Sequence, residues 1–219
     1  MGNLTHNVDM KKENIAFIFE TLGKLYPDAQ TELNYSTDFQ LLLSVIMSAQ
    51  TTDKQVNKVT DVLYKTVKWP KDILDMWLES FTDAISSVNY YKTKAKNIFE
   101  TAKILNENKD FLVADIDVLQ KLPGVWVKTA KVVSYVLFGT KVIAADTHVH
   151  RVSNRLWLVD TKAPEKTSEM LEKKVEDKYK EIAHHGLILF GRYHCLARKP
   201  KCDTCPFKDI CKFYKKNNK

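Results

Sequence analysis

Glycine and proline are scarce, with six of each in 219 residues. A many-stranded sandwich or barrel turns at short intervals and draws on both, so the shortage argues for helices. Long apolar runs are missing too. The longest, residues 41–47, is interrupted by Ser44 and is far too short to span a bilayer. The opening Met-Gly-Asn-Leu-Thr-His has no hydrophobic signal core, and His6 stands where a myristoylation signal calls for Ser or Thr. A soluble intracellular protein with no membrane partner is expected. No internal repeat of solenoid period is present. Cysteine is absent from the first 194 residues.

What is there has a globular balance: 44% hydrophobic and 11% aromatic residues, in a chain long enough for one large domain or two small ones with proper cores. Four cysteines crowd into one short stretch, Cys195, Cys202, Cys205 and Cys211, spaced Cys-x6-Cys-x2-Cys-x5-Cys. Such a set can hold a 4Fe–4S cluster, a tetrahedral zinc ion or two disulfides. Disulfides fit least, since no secretory leader precedes them. Four-cysteine zinc sites usually pair two Cys-x2-Cys knuckles and this chain has one, so the spacing favours a cluster over zinc. In either case the metal is expected to staple a subdomain with few apolar residues to fold around.

Charge is concentrated in the same region. From Gly191 onward nine lysines and arginines face two aspartates, a surplus of seven that equals the net charge of the whole chain. A basic end of this kind is the electrostatic footprint of a polyanion binder. Arg198, Lys199 and Lys201, inside the cysteine loop, are read as phosphate contacts, and residues from Lys215 as a solubilising tail.

Helical signals dominate the rest. Thr37-Asp38-Phe39-Gln40 reads as a capping box opening an apolar helix to about Ser48, and Thr52-Asp53-Lys54-Gln55 repeats it. Trp69-Pro70 reads as the end of that second helix. Further helices are expected at 73–78, 81–86, 92–106, 115–121, 126–138 with Gly139 as cap, and 147–156, with residues 141–145 as a connection. The fold class is all-α with the cysteine segment appended.

Leu122-Pro123-Gly124 between two helices reads as a helix–hairpin–helix, whose turn offers backbone N–H groups and a helix N-terminus to a nucleic-acid phosphate. Lys128-Thr129-Ala130, Ala145-Asp146-Thr147-His148 and the four cysteines follow in order. Together with Thr31-Glu32-Leu33-Asn34, Ser48-Ala49-Gln50, Lys94-Ala95-Lys96-Asn97-Ile98 and Gly191-Arg192-Tyr193, these motifs resemble the endonuclease III family almost end to end. That family is the iron–sulfur branch of the helix–hairpin–helix DNA glycosylases. The resemblance implies a 4Fe–4S cofactor and two helical lobes flanking a DNA-binding cleft. A six-helix barrel with the hairpin would span 31–140, and an iron–sulfur domain would combine 1–30 with 141–219. It also implies a monomer acting on duplex DNA that carries a damaged base or abasic site, in a cytoplasmic, nucleoid-associated setting.

The implied activity is a bifunctional DNA glycosylase and apurinic/apyrimidinic lyase excising oxidised pyrimidines in base excision repair. Such chemistry needs an amine that attacks the deoxyribose C1′ to form a Schiff base. Lys128, in the first turn of its helix and in a cleft, matches the family nucleophile. Asp146 has the chemistry of an N-cap and matches the carboxylate that steadies the cationic sugar. Gln50 matches the residue that enters the gap left by the flipped base. Gly124 belongs to the phosphate-binding hairpin, and Ser48, Gln120 and His148 are candidate pocket residues.

Three positions depart from the family pattern. Trp126 replaces the second hairpin glycine, so that it either strains the backbone or joins the helix and packs on DNA or the core. Tyr90, in Asn89-Tyr90-Tyr91, stands where a wedge leucine is usual. Gln120 replaces an expected carboxylate. A mismatch-specific uracil or thymine glycosylase of the same fold, and a non-catalytic DNA-binding iron–sulfur paralogue, are the competing readings.

Overall fold

The computed structural model describes residues 10–217 apart from the side chain of Lys109; the reading of the first residues and Lys219 lie outside it. Among the described residues there are twelve α-helices and no strand, as the all-α reading holds. They are α1 (Lys12–Leu25), α2 (Asp38–Ser48), α3 (Asp53–Leu63), α4 (Pro70–Asp75), α5 (Leu78–Ala84), α6 (Tyr91–Glu107), α7 (Ile116–Leu119), α8 (Val127–Phe138), α9 (Thr147–Leu156), α10 (Pro164–Lys174), α11 (Asp177–Tyr193) and α12 (Lys212–Asn217). No described helix is long and apolar enough to cross a membrane. The chain divides into two compact units: Thr31–Thr140, and Met1–Gln30 with Lys141–Lys219.

In the first unit α2 is the central element, packed on α3, α6 and α8. Every residue from Phe39 to Met47 is buried. Burial of each large aliphatic among them stabilises by about 1.5–3 kcal/mol. Thr37 caps the helix by accepting from Gln40 N at 3.2 Å. Gln40 does not complete the box. Its Oε1 accepts from Ser36 N, and its Nε2 donates to Val67 O, each at 2.7 Å, so the buried amide ties α2 to neighbouring loops.

Trp69-Pro70 starts a helix rather than ending one. Pro70 is the first residue of α4, where a missing N–H costs nothing, and Asp72 Oδ2 accepts from Lys68 N and Trp69 N at 2.8 Å each. Accordingly α4 and α5 both begin three residues earlier than their apolar patterns suggested. The expected helix at 115–121 contracts to α7, with Asp115 Oδ1 accepting from Asp117 N and Val118 N.

In the second unit α9 packs on α10, α11 and α12, and α11 packs on α1. The sequence reading did not resolve α10 to α12. Phe207, between the third and fourth cysteines, is fully buried and meets Phe190 edge-on at 5.1 Å. The cysteine segment therefore has an apolar anchor of its own, which corrects the expectation that it lacks apolar residues to fold around.

Candidate active site and metal centre

The turn between α7 and α8 is fixed from beneath by α6. Gly124 has φ +81°, and a Cβ there would stand 3.0 Å from Asn97 Cβ. Pro123 O accepts from Thr101 Oγ1 at 2.9 Å, and Leu122 and Val125 are buried. Glycine is needed here both for the left-handed backbone and for the close approach. Trp126 has φ −90° and ψ 169°, an ordinary extended conformation, so it carries no backbone strain. It caps α8 rather than joining it, and its ring is 77% exposed rather than packed in the core.

Lys128 is the second residue of α8 and is exposed, while Thr129, Ala130 and Val133 take the buried side. The burial expected for this lysine is not seen. Gln120 ends α7, its Nε2 3.3 Å from Ile116 O and 3.4 Å from Asp117 Oδ1.

Asp146 belongs to the other unit, at the N-cap of α9. Its Oδ1 accepts from His148 N and Val149 N, each at 2.8 Å, the geometry of a capping side chain. His148 is half-buried, its Nδ1 3.2 Å from Arg151 Nη2. Two arginines one helical turn apart then join α9 to the cysteine loop. Arg151 donates to Cys195 O at 3.1 Å and to Gly191 O at 2.7 Å. Arg155 donates to Cys195 Sγ at 3.4 Å, Leu196 O at 2.7 Å and Ala197 O at 3.0 Å, with its guanidinium over the Phe213 ring. The sequence reading missed both. Their signal was an i, i+4 pair on the helix that Asp146 opens.

All four cysteines are free thiols lining one cavity, open to solvent, whose walls include Leu156, Phe190 and Phe213. Burial pushes the Cys205 thiol up to about 11 and raises those of Cys202 and Cys211, so only nearby positive charge would hold the set as thiolates. Tyr214 N lies 3.5 Å from Cys211 Sγ, a donor suited to a thiolate. Among the described residues no three His, Cys, Asp or Glu side chains converge closely enough for a single ion. A polynuclear cluster, whose thiolates bind separate irons, does not ask for that convergence. The residues present fit such a cluster. Beside it Arg198, Lys199 and Lys201 are all exposed, Lys199 with φ +50°.

Gln50 and Tyr90 stand on two loops of the first unit that are tied together. Both are exposed and both have positive φ, +56° and +58°. Asn89 N donates to Thr51 Oγ1 at 3.1 Å, and Asn89 Nδ2 donates to Gln50 O. Ser48 Oγ turns back onto its own helix, donating to Val45 O at 2.9 Å.

A helical hairpin with a left-handed glycine, a capped aspartate and a four-thiol cavity define a class, and the comparisons name it. Residues 43–177 match the family model described as HhH-GPD superfamily base excision DNA repair protein. Residues 195–211 match the iron–sulfur binding domain of endonuclease III, so the cofactor of this region is a 4Fe–4S cluster. Endonuclease III of Rickettsia conorii is 45% identical over 206 residues, covering 94% of this chain and 98% of the relative. That of Escherichia coli K12 is 41% identical over 208 residues, covering 94% and 99%. The solved structure of a trapped endonuclease III–DNA covalent intermediate, an estranged-adenine complex, superposes with a TM-score of 0.89 at 38% identity. It covers 96% of this chain and 100% of that one. The chain belongs to the endonuclease III family.

Proposed function

We propose that this protein excises oxidised pyrimidines from duplex DNA and cleaves the strand, with Lys128 as nucleophile. As a member of its family it is a DNA glycosylase and lyase of base excision repair. The observation that carries the residue assignment is the Gly124 hairpin. It opens α8 at Trp126 and presents Lys128 in the first turn, in a chain that resembles a trapped endonuclease III–DNA covalent complex.

The Lys128 amine attacks C1′, and the bond from C1′ to the base breaks as the base leaves with its electron pair and takes up a proton. Ring opening gives the Schiff base. Loss of a C2′ proton then expels the 3′ phosphate, and water releases the lysine. Lys128 lies exposed in the free protein, so its desolvation comes from the bound nucleotide. Asp146, oriented by two N–H donors, stabilises the cationic sugar. The hairpin at Gly124 and the N-terminus of α8 bind a phosphate, with the Trp126 ring against the strand. Arg198, Lys199 and Lys201 grip the backbone, and Gln50 and Tyr90 fill the gap. Ser48, Gln120 and His148 are the side chains assigned to meet the extruded base. Cys195, Cys202, Cys205 and Cys211 hold the cluster, which supplies a rigid scaffold for the basic loop rather than chemistry.

Borohydride reduction in the presence of abasic-site duplex tests this. Wild-type protein gives a covalent adduct and folded Lys128→Ala gives none; no adduct from folded wild type would favour a DNA-binding paralogue. Turnover over dihydrouracil, thymine glycol and uracil mispairs separates the oxidised-base reading from the mismatch one.

A further inference from the structure

Helix α6 carries a buried lysine that the chemistry above does not use. Lys94 is 7% exposed, and among the described residues no carboxylate pairs with it. Its Nζ donates to Met47 O at 2.7 Å, Ala49 O at 2.5 Å and Thr51 Oγ1 at 3.3 Å. Three acceptors match the three hydrogens of an ammonium, and two of them are carbonyls at the C-terminal end of α2, where a cation is favoured. A buried unpaired cation costs stability that a methionine of similar length would not. Its yield is therefore sought in what it fixes.

What it fixes is the turn bearing Gln50. The acceptors stand before and after that residue, whose φ of +56° is unusual for a side chain with a Cβ. Thr51 Oγ1, which takes one hydrogen bond from Lys94, takes a second from Asn89 N, and Asn89 Nδ2 returns to Gln50 O. Tyr90, the next residue, is the other exposed non-glycine residue of the first unit held at positive φ. Both gap-filling side chains thus hang from one network rooted in a single amine.

We infer that Lys94 is the positioning residue for the gap-filling pair, clamping Gln50 directly and Tyr90 through Thr51 and Asn89 before DNA arrives. The inference deepens the glycosylase reading and rests on it. A preset pair matters when a base leaves a duplex and its partner must be met. It does not matter on a strand with no opposing base.

The test compares Lys94→Met with wild type on two substrates: duplexes with dihydrouracil opposite guanine or adenine, and a single-stranded abasic oligonucleotide trapped with borohydride. Duplex excision is expected to fall about tenfold or more, the preference between opposing bases to flatten, and single-strand trapping to stay unchanged. Lys94→Arg, which keeps charge and donors, recovers the preference. Should Lys94→Met fail to fold, Thr51→Val removes only the bridging hydroxyl. It should cost about threefold on duplex alone. Equal losses on both substrates, or an unchanged opposing-base preference in a folded variant, would overturn the inference. Failure of the wild type to trap abasic DNA would count instead against the glycosylase–lyase reading.

Discussion

A methyl group on Gly191 would stand 2.8 Å from the Cβ of His148 and 3.1 Å from Val152 Cγ2. Helix α11 thus meets α9 at nearly backbone distance, two residues beyond the Asp146 cap. In Gly191→Ala the usual helical gain of about 0.8–1 kcal/mol is outweighed by an overpacking cost of roughly 1–3 kcal/mol. The melting temperature should fall and single-turnover excision with it. A variant that melts at or above the wild-type temperature would contradict the close packing.

Cys202→Ala and Arg155→Met should act on the metal loop by different routes. The first removes a ligand and is expected to abolish the visible absorbance of the cluster, lower the melting temperature and weaken DNA binding together. The second keeps all four thiols but frees Leu196 O, Ala197 O and Cys195 Sγ. It should retain the absorbance at first and lose it faster in air. Full DNA affinity in a cluster-free protein would refute the scaffold role.

The exposed cations of the basic loop should reveal themselves through salt. Arg198→Ala or Lys201→Ala is expected to lower affinity for damaged and intact duplex alike. Each should also reduce the slope of log K against log salt by about one. An unchanged slope removes that side chain from the phosphate contacts.

His185 is buried beside His184 on α11, and burial pushes it down from 6.5 to about 4. Below pH 6.5 the unfolded chain takes up a proton here that the native chain refuses until about pH 4. Stability therefore falls as pH drops through that window and levels out beneath it, by up to roughly 3 kcal/mol from this group. Urea midpoints across the window should show a shallower fall in His185→Gln; a parallel curve would acquit the residue.

The helices most legible in the sequence were those with a polar cap ahead of an apolar stripe. Thr37 before α2 and Asp146 before α9 are in that position, and Gly139 ends α8 with φ +64°. Proline was misread at Trp69-Pro70 because a ring that ends one helix serves equally to begin the next. Trp126 looked strained only on the assumption that every position of the hairpin needs a glycine backbone; the left-handed residue is Gly124 alone. The contributions of Lys94, Arg151 and Arg155 could not be read locally. Each acts on carbonyls 40 or more residues away in the chain, and a basic residue in a charged helix looks the same whether it faces water or a neighbour.

Lys94, Asn97 and Thr101 share one stripe of α6, supporting the Gln50 turn at one end and the hairpin at the other. A single extra residue anywhere between them would swing Thr101 by about 100° relative to Lys94, leaving one support seated and the other facing elsewhere. Over this stretch the protein can trade side chains but cannot change length.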